Sequence, residues 1–86
     1  MQRPWVSSPA YAAAVELLVE TRVRLGVSQR ELAERLGKPR SFVTKIEGRE
    51  RRVDMVEFIA IARALGMPAG ELMAGLDRAL PGELSI

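Results

Sequence analysis

A chain of 86 residues without cysteine or histidine has no disulfide framework, lacks the usual zinc and haem ligands, and lacks the commonest general base. Its composition, 48% hydrophobic but only 5% aromatic, is typical of one small domain whose core is filled by the aliphatic side chains of packed helices. The net charge of +2 is unevenly spread, because residues 30–52 contain eight Lys or Arg against four Glu, whereas residues 53–86 contain two Arg against five acids. A basic middle third fits a phosphate-facing surface and equally an ordinary solvated face, so charge alone leaves both open.

Residues 1–7 are predicted to form an extended N-terminal arm ahead of a folded domain over residues 8–80. The first helix is expected to begin with Ser8 as its N-cap and Pro9 in its first turn, because a serine oxygen can bond a free N–H there and proline needs none. It is expected to end at Gly26, since glycine readily adopts the left-handed conformation that closes many helices.

Two short helices are predicted next, with one glycine between them. The second helix is expected to begin at Ser28, which has the spacing of a capping box with Glu31, and to end at Gly37. The third helix is expected to run from near Pro39 to Glu47.

The apolar positions of these two helices have the spacing of a helix-turn-helix over residues 28–47. Ala33 is small enough for the helices to cross closely, and Gly37 permits the sharp turn between them. Four larger side chains are spaced to meet between the helices, namely Leu32, Leu36, Val43 and Ile46. A plain helical hairpin in a small bundle would show the same pattern, so the apolar spacing alone leaves DNA binding open.

The rest of the chain is predicted to complete an all-α fold of five helices. A basic loop over residues 48–52 leads to a fourth helix that starts at Asp54, with Glu57 as a second capping signal. A fifth helix over about residues 69–80 precedes a C-terminal tail, residues 81–86. The inward stripe of the fourth helix is expected to consist of Met55, Phe58, Ile59, Ala62 and Leu65.

The outward side of the third helix carries hydroxyl and cationic side chains, with no carboxylate before Glu47. An arginine can donate two hydrogen bonds to a guanine in the major groove, and lysine, serine and threonine can bond bases or phosphates. The residues predicted to contact bases are Arg40, Ser41, Thr44 and Lys45. Gln29 is predicted to contact a phosphate, because free N–H groups at the start of a helix favour an anion.

Several separated stretches form one further pattern. They are RVRLGVSQ from Arg22, ELAERLG from Glu31, SFVTKIE from Ser41, ERR from Glu50 and IARALG from Ile61. With these stretches the chain resembles, over about residues 18–73, the lambda-repressor/Cro-like helix-turn-helix family of prokaryotic and phage regulators, often called the XRE family. The resemblance implies a compact five-helix DNA-binding domain.

The resemblance also implies roles for individual positions. Arg22 and Glu47 match a pair that, in many members, bridges the first helix and the end of the recognition helix. Gln29 falls where members bond the DNA backbone, and residues 48–52 fall where they grip phosphates. The base-reading positions correspond to Arg40, Ser41 and Lys45. The phosphate contacts predicted in all are Ser28, Gln29, Lys38, Arg49, Arg51 and Arg52.

Two residues depart from the family pattern. Many members carry glutamine at the position of Arg40, so the base preference of relatives does not transfer. Pro39 replaces the more usual serine or threonine cap of the recognition helix and cannot supply a side-chain cap.

The predicted function is sequence-specific binding of double-stranded DNA by a prokaryotic or phage transcriptional regulator, with a recognition helix at about residues 39–47 in the major groove. The family resemblance implies a homodimer on a palindromic operator, with half-sites ~34 Å apart. Possible dimer contacts are Leu76, Leu80, Leu84 and Ile86, although Leu76 suits the monomer core as well. The alternative is an antitoxin or adaptor-type protein-interaction module with the same fold.

Other classes of function find no support in the sequence. No residues are arranged for catalysis, so we expect no enzyme, and we expect no metal, cofactor or small-molecule ligand. No apolar run approaches the ~18–20 residues of a membrane span, and the N-terminal residues lack the apolar region of a signal peptide. We therefore expect a cytoplasmic protein without membrane association.

Overall fold

The computed structural model describes residues 7–84, which form five α-helices and no β-strand. The helices are α1 (Pro9–Arg24), α2 (Gln29–Leu36), α3 (Arg40–Glu47), α4 (Met55–Ala64) and α5 (Ala69–Ala79). The prediction of an all-α, five-helix fold is confirmed. Most of the predicted N-terminal arm, and Ile86 of the tail, lie outside the described residues.

Local hydrogen bonds explain where the helices begin. The Ser8 side chain accepts a bond from the Tyr11 N–H at 3.2 Å and so caps α1. Asp54 and Glu57 form both halves of the capping box of α4, at 2.7 and 3.0 Å. These caps satisfy backbone donors that have no partner inside the helix.

The capping box predicted for α2 is only half formed. The Ser28 oxygen accepts from the Glu31 N–H at 3.0 Å, but the Glu31 carboxylate pairs instead with Arg35, one turn along the helix. The helix ends at Gly37, whose φ of +66° is the left-handed conformation expected of a glycine C-cap. This turn sets the direction in which α3 leaves α2.

The core consists of two clusters. One lies between α2, α3 and α4 and contains Val27, Leu32, Ala33, Val43, Ile46, Ile61 and Leu65. The other lies between α1, α4 and α5 and contains Leu18, Phe58, Ala62, Leu72 and Leu76. Ala33 is 2% exposed, which agrees with the need for a small side chain where α2 packs against α3.

The inward face of α4 differs from the predicted one. Met55 and Ile59 are 84% and 40% exposed, whereas Ile61, which the prediction left out, is 4% exposed. The helix is apolar on nearly every side (MVEFIAIARA), so two faces have acceptable spacing and the packing of α2 and α5 decides between them.

Leu76 was wrongly included among the possible dimer contacts. It is 8% exposed and belongs to the second core cluster, where it helps α5 to pack on the rest of the domain. Leu80 is half-buried and Leu84 is 54% exposed, so these two keep apolar surface available.

Among residues 7–84, no single helix is long and apolar enough to cross a membrane. The pair α4 and α5 passes that test by combined length and composition, but the two helices are bent by 110° at the break between them.

Candidate nucleic-acid interface

The outward face of α3 brings the four predicted base-reading residues to one side of the domain. Arg40, Ser41 and Lys45 are exposed, and Thr44 is half-buried, with its hydroxyl 3.3 Å from the Ser41 carbonyl oxygen. The opposite side of the helix is buried in the first core cluster. Core packing therefore determines which side chains α3 presents to solvent.

The start of α3 is a turn without a side-chain cap. Pro39 occupies the N-cap with extended backbone, φ −63° and ψ 153°, and makes no side-chain cap hydrogen bond. The Pro39 carbonyl oxygen accepts from the Phe42 N–H at 2.9 Å. The departure at Pro39 thus leaves the helix start exposed beside Arg40, on the side where the base-reading residues lie.

A buried ion pair joins α1 to the end of α3. The Arg22 guanidinium donates to both carboxylate oxygens of Glu47, at 2.6 and 2.9 Å, and to the Val27 carbonyl oxygen at 2.8 Å. Both charged side chains are only 11% exposed. Two parallel hydrogen bonds between planar groups restrict rotation, so this pair orients the end of α3 against α1.

The Glu47 carboxylate is also hydrogen-bonded to Gln29, which in turn lies beside Arg40. The Gln29 amide N–H donates to Glu47 at 2.8 Å, and its oxygen lies 3.3 Å from a guanidinium nitrogen of Arg40. A carboxylate can only accept and a guanidinium can only donate, so one orientation of the amide satisfies both neighbours. Hydrogen bonds therefore run from Arg22 to Arg40 across the helix-turn-helix.

The remaining predicted phosphate contacts lie at the start of α2 and around α3. Ser28 and Lys38 are exposed, and Arg52 is exposed with its guanidinium carbon 5.8 Å from the centre of the Tyr11 ring. Arg49 is half-buried and has a φ of +58°, which makes it the one non-glycine residue in the described range with a left-handed backbone. The positive φ lets the chain turn sharply out of α3.

Arg51 lies differently from the other loop cations. Its guanidinium forms two hydrogen bonds to the Glu57 carboxylate, at 2.8 and 2.7 Å, and covers the Phe42 ring at 4.6 Å from its centre. Hydrogen bonds from Arg51 lower the pKa of Glu57 to about 2. The carboxylate is therefore ionised at neutral pH, and the pair carries no net charge.

The helix-turn-helix family model matches residues 18–72. A solved structure described as an XRE-family like protein from Pseudomonas syringae pv. tomato str. DC3000 superposes with a TM-score of 0.76 and 43% sequence identity, over 84% of this chain and 88% of that one. The chain belongs to the XRE family. No curated protein has a sequence similar enough to match.

Two further structures share the fold of this XRE-family regulator. The clp gene regulator ClgR from C. glutamicum has a TM-score of 0.73 and 20% identity, over 86% of this chain and 96% of that one. A mutant of the restriction-modification controller protein C.Esp1396I has a TM-score of 0.75 and 20% identity, over 83% of this chain and 90% of that one. Family membership makes the chain a DNA-binding transcriptional regulator.

Sequence reasoning missed two contacts of this XRE-family surface. It interpreted Glu57 only as a helix cap, although Glu57 also binds Arg51, and it gave Gln29 no partner within the protein. Neither pair has helical spacing, so no periodic pattern signals it. The nearest signal is the acid that follows the Arg-rich loop within a few residues.

Proposed function

We propose that this regulator binds double-stranded DNA sequence-specifically, with α3 in the major groove. One observation carries the proposal: the single carboxylate of α3, Glu47, is held by Arg22, so the face presented by Arg40 and Lys45 has hydroxyl and cationic groups without an acid. Such a face suits guanine edges and phosphate oxygens. Ser41 and Thr44 complete the proposed base-contacting set.

The proposed phosphate contacts surround this helix. They are Ser28, Gln29, Lys38, Arg49 and Arg52. We take residues 8–80 as the DNA-binding domain and residues 28–47 as its helix-turn-helix, between the arm (1–7) and the tail (81–86). A regulator of this kind is typically not an enzyme.

We also propose that two copies bind a palindromic operator, with half-sites ~34 Å apart. Leu80 and Leu84 support a contact at the end of α5, because they retain apolar surface after the core is complete. Ile86 extends the same apolar pattern in the sequence. Leu76 takes no part, because it is buried in the monomer.

A salt titration tests DNA binding and copy number together. We expect the logarithm of the association constant to fall linearly with the logarithm of salt concentration, by about 0.9 per phosphate neutralised. Contacts from Lys38, Arg49 and Arg52 predict a slope of about −2.7 for one copy and about −5.4 for two. Fluorescence anisotropy with a duplex selected from a random library, against an unrelated duplex, measures the slope and the preference.

The absence of a preferred DNA duplex would contradict the proposed function. If no duplex is preferred at any salt concentration, DNA reading is refuted and the antitoxin or adaptor-type alternative gains support. The exposed apolar face of α4, with Met55 and Val56 at 84% and 75% exposure, is the feature that would then serve a protein partner.

Replacing Arg40 by alanine tests the base-reading role. We expect a loss of about 1–3 kcal/mol on the selected duplex and relaxed preference at one base pair, because a bidentate bond to guanine is lost. Anisotropy over the four substitutions at each position of the selected site measures this. Lys38→Ala is the matched control, expected to weaken all duplexes equally and to lower the salt slope by about 0.9 for each copy bound. A uniform loss in Arg40→Ala would make Arg40 a phosphate contact.

A further inference from the structure

We propose that Arg51 is a positioning residue that holds the loop of residues 48–52 between α3 and α4, and that it does not contact phosphate. The proposal rests on the proposed DNA binding, because the loop cations Arg49 and Arg52 are the groups that it would position. It departs from the sequence-based expectation, which placed Arg51 among the phosphate contacts.

Most N–H groups of the Arg51 guanidinium are already bonded within the protein. Two donate to the Glu57 carboxylate, and one donates to the Arg52 carbonyl oxygen at 2.8 Å. One planar face of the guanidinium covers the Phe42 ring. A phosphate at the edge that faces Glu57 would have to displace an ionised carboxylate already in bidentate contact, and the neutral Arg51–Glu57 pair attracts a phosphate less than an unpaired guanidinium does.

The contacts of Arg51 lie on the elements at both ends of the loop. Phe42 belongs to α3, and Glu57 belongs to the first turn of α4, where the capping box with Asp54 holds it. The Arg51 carbonyl oxygen lies 3.5 Å from the Tyr11 hydroxyl on α1. The Arg51 side chain therefore connects the loop to α3 and α4, and its backbone carbonyl adds a contact with α1.

The loop needs such support because its backbone is strained. Arg49 has a φ of +58°, a conformation that costs an L-residue roughly 1–2 kcal/mol and persists where the surroundings enforce it. The N–H groups of Arg49 and Glu50 bond back to the Ile46 and Lys45 carbonyl oxygens, at 3.1 and 2.8 Å. Arg51 follows immediately and attaches this turn to the domain.

The Glu57→Gln substitution changes DNA affinity in opposite directions, depending on whether Arg51 positions the loop or contacts a phosphate. Glutamine can still accept from the Asp54 N–H, but it loses the charge and the second acceptor oxygen that hold Arg51. If Arg51 positions the loop, affinity falls about three- to tenfold on every duplex, after correction for the folded fraction measured by urea denaturation. If Arg51 is a phosphate contact held back by Glu57, affinity rises and the salt slope steepens by about 0.9 for each copy bound.

Asp54→Asn is the matched control for the lost negative charge. Asparagine caps a helix as well as aspartate does, and the Arg51 pair with Glu57 stays intact, so affinity should stay equal or rise slightly. A fall in Glu57→Gln without one in Asp54→Asn supports the positioning role. Equal changes in the two variants would overturn it, because the effect would then come from charge alone.

Amide hydrogen exchange gives a measurement that is independent of DNA. In Glu57→Gln, the N–H groups of Arg49 and Glu50 should exchange at least about tenfold faster than in the wild type. Unchanged exchange would overturn the role of Arg51 in holding the loop. Failure of the wild type to prefer any duplex would instead refute the proposed function, so the two failures are distinguishable.

Discussion

Replacing Glu47 by alanine is expected to lower the free energy of unfolding by about 3–5 kcal/mol, because it leaves the buried Arg22 guanidinium without its counterion. For a domain of this size, that loss corresponds to a fall in Tm of roughly 12–40 °C. It is a large share of the about 4–13 kcal/mol expected for the whole fold. Urea denaturation followed by circular dichroism measures the change.

An exposed ion pair provides the control. Glu31 and Arg35 are one helical turn apart, with side chains 47% and 41% exposed. Glu31→Ala is expected to cost only about 0.3–0.5 kcal/mol, because water solvates both charges when the contact is lost. If Glu47→Ala costs no more than Glu31→Ala, the Arg22 charge is not held in a buried environment and the interpretation fails.

A double replacement separates the cost of a stranded charge from the value of the pair itself. In Arg22→Met with Glu47→Leu, no buried charge remains, so we expect most of the lost stability to return. The bond from Gln29 to Glu47 is lost in that variant as well. The double variant should therefore recover folding more fully than it recovers preference at the base pair read by Arg40.

Leu72→Ala is the second change with a large expected effect, a loss of about 2–5 kcal/mol in the free energy of unfolding. Leu72 is 2% exposed in the core cluster between α1, α4 and α5, and its removal would leave a cavity that rigid helices cannot fill. Thermal or urea denaturation measures the loss. For the molecules that remain folded, the preference among DNA sequences should be unchanged, because the candidate interface is built on the other core cluster.

The matched control for Leu72→Ala is the same substitution at the next residue, Met73. Met73 lies on the same helix but is 51% exposed. Met73→Ala should change the free energy of unfolding by less than about 0.5 kcal/mol, as is usual for surface positions. Similar losses in Leu72→Ala and Met73→Ala would contradict the burial difference on which this prediction depends.

The sequence was sufficient for most features that depend on near neighbours in the chain, with the half-formed capping box of Ser28 and Glu31 as the exception. The Ser8 cap, the left-handed Gly37 and the Asp54 capping box each involve groups within a few residues, so composition and spacing reveal them. The helix-turn-helix was predicted for the same reason, because its turn and its small Ala33 lie within one short segment.

The predictions were incomplete where an element had more than one possible partner. Met55 and Ile59 were placed inside and Ile61 was left out, because α4 is apolar on nearly every side. Leu76 was assigned to both the core and a dimer contact, and burial against α1 and α4 decided for the core. Apolar spacing identifies the faces of a helix that could be buried, whereas packing against the neighbouring helices determines which of these faces is buried.

The sequence by itself thus determined the five helices and the helix-turn-helix, which follow from local hydrogen bonds and short-range spacing, and its motifs carried the resemblance to the XRE family. Only the tertiary structure decided how the charges are used. It places Gln29 between Glu47 and Arg40, and it places Arg51 against Glu57 and Phe42. Which charged side chains form pairs depends on their separation in the folded protein, and that separation is fixed only when the helices pack.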